Sequence, residues 1–149
     1  IKLRTELYWQ PYHDKIQATL DTLKAKHTQV ILFDAHSICS VVPTLFDGTL
    51  PDLNFGTADG KTASPVLMEK LLELARQSPY SVVHNGRFKG GYITRHYGKP
   101  EAGIHAIQLE LAQHNYMQET APYNYDESKA SGLQSRLKDV LALLIEQIS

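Results

Sequence analysis

An acid, an imidazole and a hydroxyl stand together at Asp34-Ala35-His36-Ser37, directly after the apolar run Val30-Ile31-Leu32-Phe33. A histidine at a strand end, just past an aspartate, could ligate a metal through one ring nitrogen while a neighbouring oxygen orients the ring. It could equally be a buried histidine bonded to backbone. The Asp-x-His-Ser spacing matches neither the His-Glu-x-x-His nor the Cys-x-x-Cys pattern of zinc proteins. Glu110 ends an otherwise apolar segment, Ile104-His105-Ala106-Ile107-Gln108-Leu109-Glu110-Leu111. A carboxylate there has its pKa raised by desolvation unless it is paired, which suits a general base or acid. A salt bridge to Arg87, Arg95 or Lys89 is the structural alternative. Those three cations cluster around Gly86 and Gly90-Gly91. Guanidinium groups clamp carboxylates through parallel hydrogen bonds, and glycines allow close backbone approach, so the cluster suits a small anion. A solvated turn with surface charges is the plainer possibility. Cys39 precedes Ser40-Val41-Val42 and suits a buried, inert thiol better than a nucleophile. Ser37 lacks the Gly-x-Ser-x-Gly elbow of the α/β hydrolases.

Several elements must position these groups. The run Val30–Phe33 is short, β-branched and aromatic, as in a strand buried on both faces of an α/β sheet, and His36 then falls at its carboxyl end. Before it, Trp9, Tyr12, Ile16, Leu20 and Leu23 recur at steps of three and four, predicting an amphipathic helix over about 7–26. Pro11 lies either in its first turn or at a kink. The segment 43–63 is dense in Pro and Gly and reads as a long functional loop. Ser64-Pro65 starts a helix whose Met68, Leu71, Leu72 and Ala75 face one side. A short strand over 80–84 runs into the glycine-rich turn 85–91. A strand over 104–111 alternates, with Gln108 and Glu110 on its more polar face. Asp126 caps a last helix with a stripe of Leu133, Leu137, Val140, Leu141, Leu144 and Ile148.

The totals set limits. With 149 residues, 42% hydrophobic and 21% charged, the chain suffices for one domain with a core, and 1–149 reads as a single domain. A net charge of -1 supplies no basic field for nucleic acid, and no apolar run is long enough to span a bilayer. The single cysteine leaves no internal disulfide and fits a reducing cytoplasm. The sequence begins Ile-Lys-Leu-Arg rather than with methionine, which points to processing or to a piece of a longer polypeptide.

Four stretches, in order, carry a family resemblance: Leu7-Tyr8-Trp9-Gln10-Pro11-Tyr12-His13; Phe33-Asp34-Ala35-His36-Ser37; Leu50-Pro51-Asp52-Leu53-Asn54-Phe55-Gly56-Thr57-Ala58-Asp59-Gly60; and Asn85-Gly86-Arg87-Phe88-Lys89-Gly90-Gly91-Tyr92-Ile93-Thr94-Arg95-His96-Tyr97-Gly98, followed by Gln108-Leu109-Glu110. With these the chain resembles the N-formylglutamate amidohydrolases. The resemblance implies an α/β fold with an open mixed sheet flanked by helices, similar to the zinc carboxypeptidases. It implies a divalent metal, zinc by expectation, and hydrolysis of N-formyl-L-glutamate to formate and L-glutamate in histidine degradation. On this likeness His36 is a metal ligand and Glu110 the general base and acid. Arg87 and Arg95 are natural partners for the substrate carboxylates, and Asn54 is a further candidate contact. The family is longer at its N-terminus, where a His-Ser-Gly segment and an acidic residue supply the first metal ligands. The chain therefore resembles a C-terminal part, expected to bind metal weakly and to be inactive alone. An amidohydrolase for another acidic N-acyl amino acid, or a non-catalytic carboxylate-binding fragment, are the alternatives.

Overall fold

The computed structural model describes residues 1–148. Lys2–Arg4 (α1), a π turn over Thr5–Trp9 and Gln10–Lys24 (α2) follow one another as one rod. Pro11 has no N–H to give and its ring crowds the preceding turn. The widened π turn immediately before it is the adjustment that lets the helix continue. The apolar stripe expected here is only half used. His13 and Leu20 are buried, whereas Trp9, Tyr12 and Leu23 are exposed.

Strand β1 spans Val30–Ile38, so Asp34 and His36 sit on its pleat rather than past its end. The segment expected to be one long loop holds β2, Leu53–Gly56, buried along its whole length. After it come α3 (Pro65–Arg76), β3 (Val82–His84), α4 (Tyr92–Tyr97), β4 (Ile104–Ala112) and α5 (Glu127–Glu146). Ser64 caps α3 by accepting the Leu67 N–H at 3.1 Å, and Asp126 caps α5 by accepting the Lys129 N–H at 3.2 Å. Leu141 is exposed on α5, and Ile148 lies beyond its end.

The sheet is mixed and open, in the order β1-β4-β2-β3. β1 runs parallel to β4, β4 antiparallel to β2, and β2 parallel to β3. One face is mainly apolar, with Ser37, His84 and His105 as its polar members. Leu53, Phe55, Ile107 and Leu109 pack there against Leu67, Met68, Leu71 and Ala75 of α3 and Leu133, Val140 and Leu144 of α5. The other face changes character along its length. Val30, Leu32 and Ile104 pack under Leu20 of α2 and Tyr97 of α4, and then the same face turns polar. Among the described residues no helix is long and apolar enough to cross a membrane.

Candidate functional site

Where the covering helices stop, the register lines up polar side chains. Asp34 is opposite Gln108, and His36 is opposite Glu110. Across the next ladder Asn54 is opposite Glu110, and Gly56 opposite Gln108. Partners in a ladder share a face and side chains alternate, so Asp34, His36, Asn54, Gln108 and Glu110 all project from one side of the sheet. The sequence-derived pairing of His36 with Glu110 is thus one of adjacent strands. Ser37 takes the opposite side, where its hydroxyl lies 2.7 Å from that of Tyr116. It has no part in the polar face, contrary to its place in the motif.

Two of these groups are primed for chemistry. The His36 Nε2–H donates to Asp34 Oδ1 at 2.9 Å, which fixes the ring and leaves Nδ1 facing away from the carboxylate. Glu110 is 7% exposed, and its carboxylate has no hydrogen bond or ion pair among the described residues. Burial pushes its pKa up and the Asp34 charge adds to this, while the His36 imidazole opposes it. None of the three cations that stand as alternative partners of Glu110 pairs with it. Lys89 pairs with Asp59 at 2.9 Å, Arg95 donates to the Gly90 carbonyl at 2.6 Å, and Arg87 is exposed. Among the described residues no three His, Cys, Asp or Glu side chains come together as metal ligands. Catalytic zinc sites use about three protein ligands. The residues present therefore do not by themselves fit a zinc site.

Asn54 is held differently from the expectation. Its amide donates to Pro51 O at 2.6 Å and Glu110 O at 3.1 Å, so both donors serve the backbone around the acid. The two arginines are separated as well. Arg87 borders a cleft of about 620 Å³ together with Gly86, Gly91 and Gln108. Arg95 borders a neighbouring cleft of about 390 Å³ with Lys61 and Thr62. Only the first has a wall, Gln108, on the face that carries Glu110.

The loop bearing Arg87 is tied down at both ends. Asn85, at φ +53°, donates its N–H to Phe55 O at 2.8 Å and accepts the Thr57 N–H at 2.8 Å. Lys89 O accepts the Ala58 N–H at 2.6 Å, and Gln108 Oε1 accepts the Gly91 N–H at 2.7 Å. The loop lies so close on β2 that a Cβ on Gly56 would stand 2.5 Å from Gly90 N. Asn85 and Gln108 escaped the sequence reading as functional candidates. The available signal for Gln108 was its position two residues before Glu110, on the same face.

The fold and site together define a mixed α/β domain with a buried acid, an aspartate-oriented imidazole and an arginine-lined cleft on one sheet face. The model of the N-formylglutamate amidohydrolase family matches residues 1–117, and the chain belongs to that family. It is 51% identical over 141 residues to an N-formylglutamate deformylase of Pseudomonas putida, covering 94% of this chain and 53% of that protein. A second N-formylglutamate deformylase, of Pseudomonas aeruginosa, is 49% identical over 138 residues, covering 92% of this chain and 52% of that protein. The chain thus spans about half the length of these relatives. The crystal structure of an N-formylglutamate amidohydrolase from Ralstonia eutropha JMP134 shares the fold, with a TM-score of 0.80 at 23% identity, over 96% of this chain and 52% of that one.

Proposed function

We propose that the polar cleft is the acid–base and carboxylate-binding part of a deformylase site that, within a longer enzyme, hydrolyses N-formyl-L-glutamate to formate and L-glutamate. The observation that carries the reading is Glu110: a largely buried residue whose carboxylate reaches solvent and has no protein partner among the described residues, beside His36 and one pleat from the wall of the Arg87 cleft. Glu110 takes a proton from water as the water oxygen bonds to the formyl carbon. It then returns that proton to the amide nitrogen as the C–N bond breaks, releasing formate and the amine. Burial supports this role, because a carboxylate of raised pKa is a stronger base. Arg87 binds a substrate carboxylate. Arg95 acts indirectly, by holding the Gly90 carbonyl, and Asn54 fixes the backbone of the acid rather than the ligand.

The fold is read as the C-terminal part of a zinc-carboxypeptidase-like domain, supported by the chain's share of its relatives' length. His36 is then one contribution to a zinc-type centre whose other ligands lie outside these residues, so weak zinc binding is expected of this chain alone. The reading sets the enzyme in histidine degradation in the cytoplasm, with the lone Cys39 as support for that compartment.

The test is formate release from N-formyl-L-glutamate with added zinc. The chain is assayed alone and co-expressed with the N-terminal half of the Pseudomonas putida relative. Restored turnover should fall by about 10²- to 10⁴-fold in Glu110→Gln, with KM nearly unchanged. N-acetyl-L-glutamate in parallel separates a deformylase from a broader amidohydrolase. Normal turnover by Glu110→Gln overturns the assignment.

A further inference from the structure

Gln108 stands out among the polar groups of this face. It is 6% exposed, yet its side chain walls the Arg87 cleft. Its Oε1 accepts the Gly91 N–H at 2.7 Å, which fixes the amide orientation and turns Nε2 the other way. Nε2 has no hydrogen-bond partner among the described residues. The contrast with Asn54 on the same face is sharp, since both of that amide's hydrogens are bonded to backbone carbonyls. Among the described residues only Thr94 Oγ1 is a fully buried polar side-chain atom without a partner, so the Gln108 Nε2 donor is open to solvent and to a ligand oxygen.

We propose that Gln108 is a specificity-determining residue of this cleft, its amide donating to an acceptor oxygen of the small carboxylate that Arg87 holds. The inference rests on the cleft being the substrate site proposed above. A carboxylate offers about four lone-pair positions, and a guanidinium fork fills two. A third donor on a fixed backbone therefore improves both affinity and orientation. The neutrality of that donor also has a reason. Gln108 lies two residues before Glu110 on one strand face, about 7 Å along the strand. A lysine or arginine there would pair with Glu110 and lower its basicity, and an acid would repel the ligand. An amide supplies the hydrogen bond without either effect. The cleft of about 620 Å³ falls within the range of small-molecule sites.

The experiment is a titration of the ¹⁵N-labelled chain with N-formyl-L-glutamate at pH 8, followed by NMR. The Gln108 side-chain amide is assigned as the pair missing from Gln108→Glu. That variant keeps an acceptor for the Gly91 N–H but loses the donor. The wild-type Gln108 amide pair should shift and saturate together with the Arg87 Nε signal. Affinity should drop tenfold or more in Gln108→Glu, with the Gly91 amide signal retained. Ligand binding that leaves the Gln108 pair unmoved overturns the proposal, as does a variant affinity within twofold of wild type. If the variant does not fold, assignment through Gln108→Met or from the wild-type backbone still lets the wild-type shift decide. Absence of binding by the wild-type chain overturns this inference. Normal turnover by Glu110→Gln with the Gln108 shift intact instead removes the catalytic reading and leaves this contact standing.

Discussion

Glu110→Gln should make the protein more stable as it makes it less active. The wild-type carboxylate is 7% exposed, without a hydrogen bond or ion pair among the described residues, and shares its face with the Asp34 carboxylate. Opposing this, the His36 imidazole lies across the ladder and the cleft admits water, so the penalty is well short of that for a fully enclosed ion. Because the carboxylate oxygens reach solvent, the scale is a fraction of the cost of a buried unsatisfied polar group, about 0.5–1 kcal/mol at neutral pH. Glutamine has nearly the same volume and no charge, so packing against Asn54 and His36 is kept. For a chain of this length the gain corresponds to a Tm about 1–4 °C higher. The pH dependence fixes the sign independently. Because burial raises the folded-state pKa, the folded protein binds this proton more tightly than the unfolded chain does. Wild-type stability is therefore fully present below the ordinary carboxylate range and falls as pH rises through the folded-state value. The advantage of Glu110→Gln should be present at pH 7.5 and vanish near pH 4. Urea unfolding of both proteins at the two pH values, with a chelator present, makes the measurement. Equal or lower stability of the variant at pH 7.5 refutes the unpaired-carboxylate argument, and so does an advantage that persists unchanged at pH 4.

Two further outcomes are expected. Gly56→Ala should lower stability by about 3 kcal/mol or more in urea unfolding, because its Cβ would meet Gly90 N at 2.5 Å and neither backbone can yield; a change under about 0.5 kcal/mol would show the loop to be loosely docked. His105 is buried, accepts the Ser64 N–H on Nδ1 at 3.2 Å, and donates from Nε2 to Gln29 Oε1 at 2.9 Å. Burial lowers its pKa, so the unfolded chain takes up the proton first, and its contribution is complete above the ordinary histidine value and lost as pH falls below it. His105→Gln should flatten the fall in stability between about pH 6.5 and 5, as read from unfolding midpoints; an unchanged slope counts against this tautomer.

Parts of this architecture are legible in the sequence because they follow from parity or capping alone. Glu110 and Gln108 share a face by alternation, and Ser64-Pro65 and Asp126 announce their helices. β2 is not legible. Four residues between turn formers give no period, and Asn54 and Gly56 weaken the strand propensity of Leu53 and Phe55. Its burial comes from lying between two other strands, which is a tertiary fact. The separation of Arg87 from Arg95 is hidden for a similar reason. Eight positions apart they read as one cluster, but Arg87 belongs to the loop over the polar face while Arg95 is carried round by α4 to the neighbouring cleft. The exposed Trp9 and Tyr12 show the converse. Helical spacing predicts a stripe but not how much of it finds a partner.

The polar half-face fits the binding surface proposed above. The switch from apolar to polar falls at one register step in the edge strand β1 and its neighbour β4, from Leu32 opposite Ala106 to Asp34 opposite Gln108. A folding constraint would have continued the apolar pattern, since β1 and β4 pair along nine positions and apolar side chains would stabilise the sheet more. Instead three groups there stand unpaired among the described residues: the Nδ1 of His36, the carboxylate of Glu110 and the amide hydrogens of Gln108. Each is oriented by a bond or pairing on its other side, to Asp34, to the Asn54-bridged backbone and to Gly91. Groups held in place while facing solvent can be met by a partner that brings the complementary atoms. On the proposed function, a small carboxylate bearing an amide would bring oxygens for Gln108 and Arg87 and a bond for Glu110 to help break. On that reading, the stability forgone at Glu110 and the selectivity expected at Gln108 have one origin, a stretch of sheet completed by its ligand.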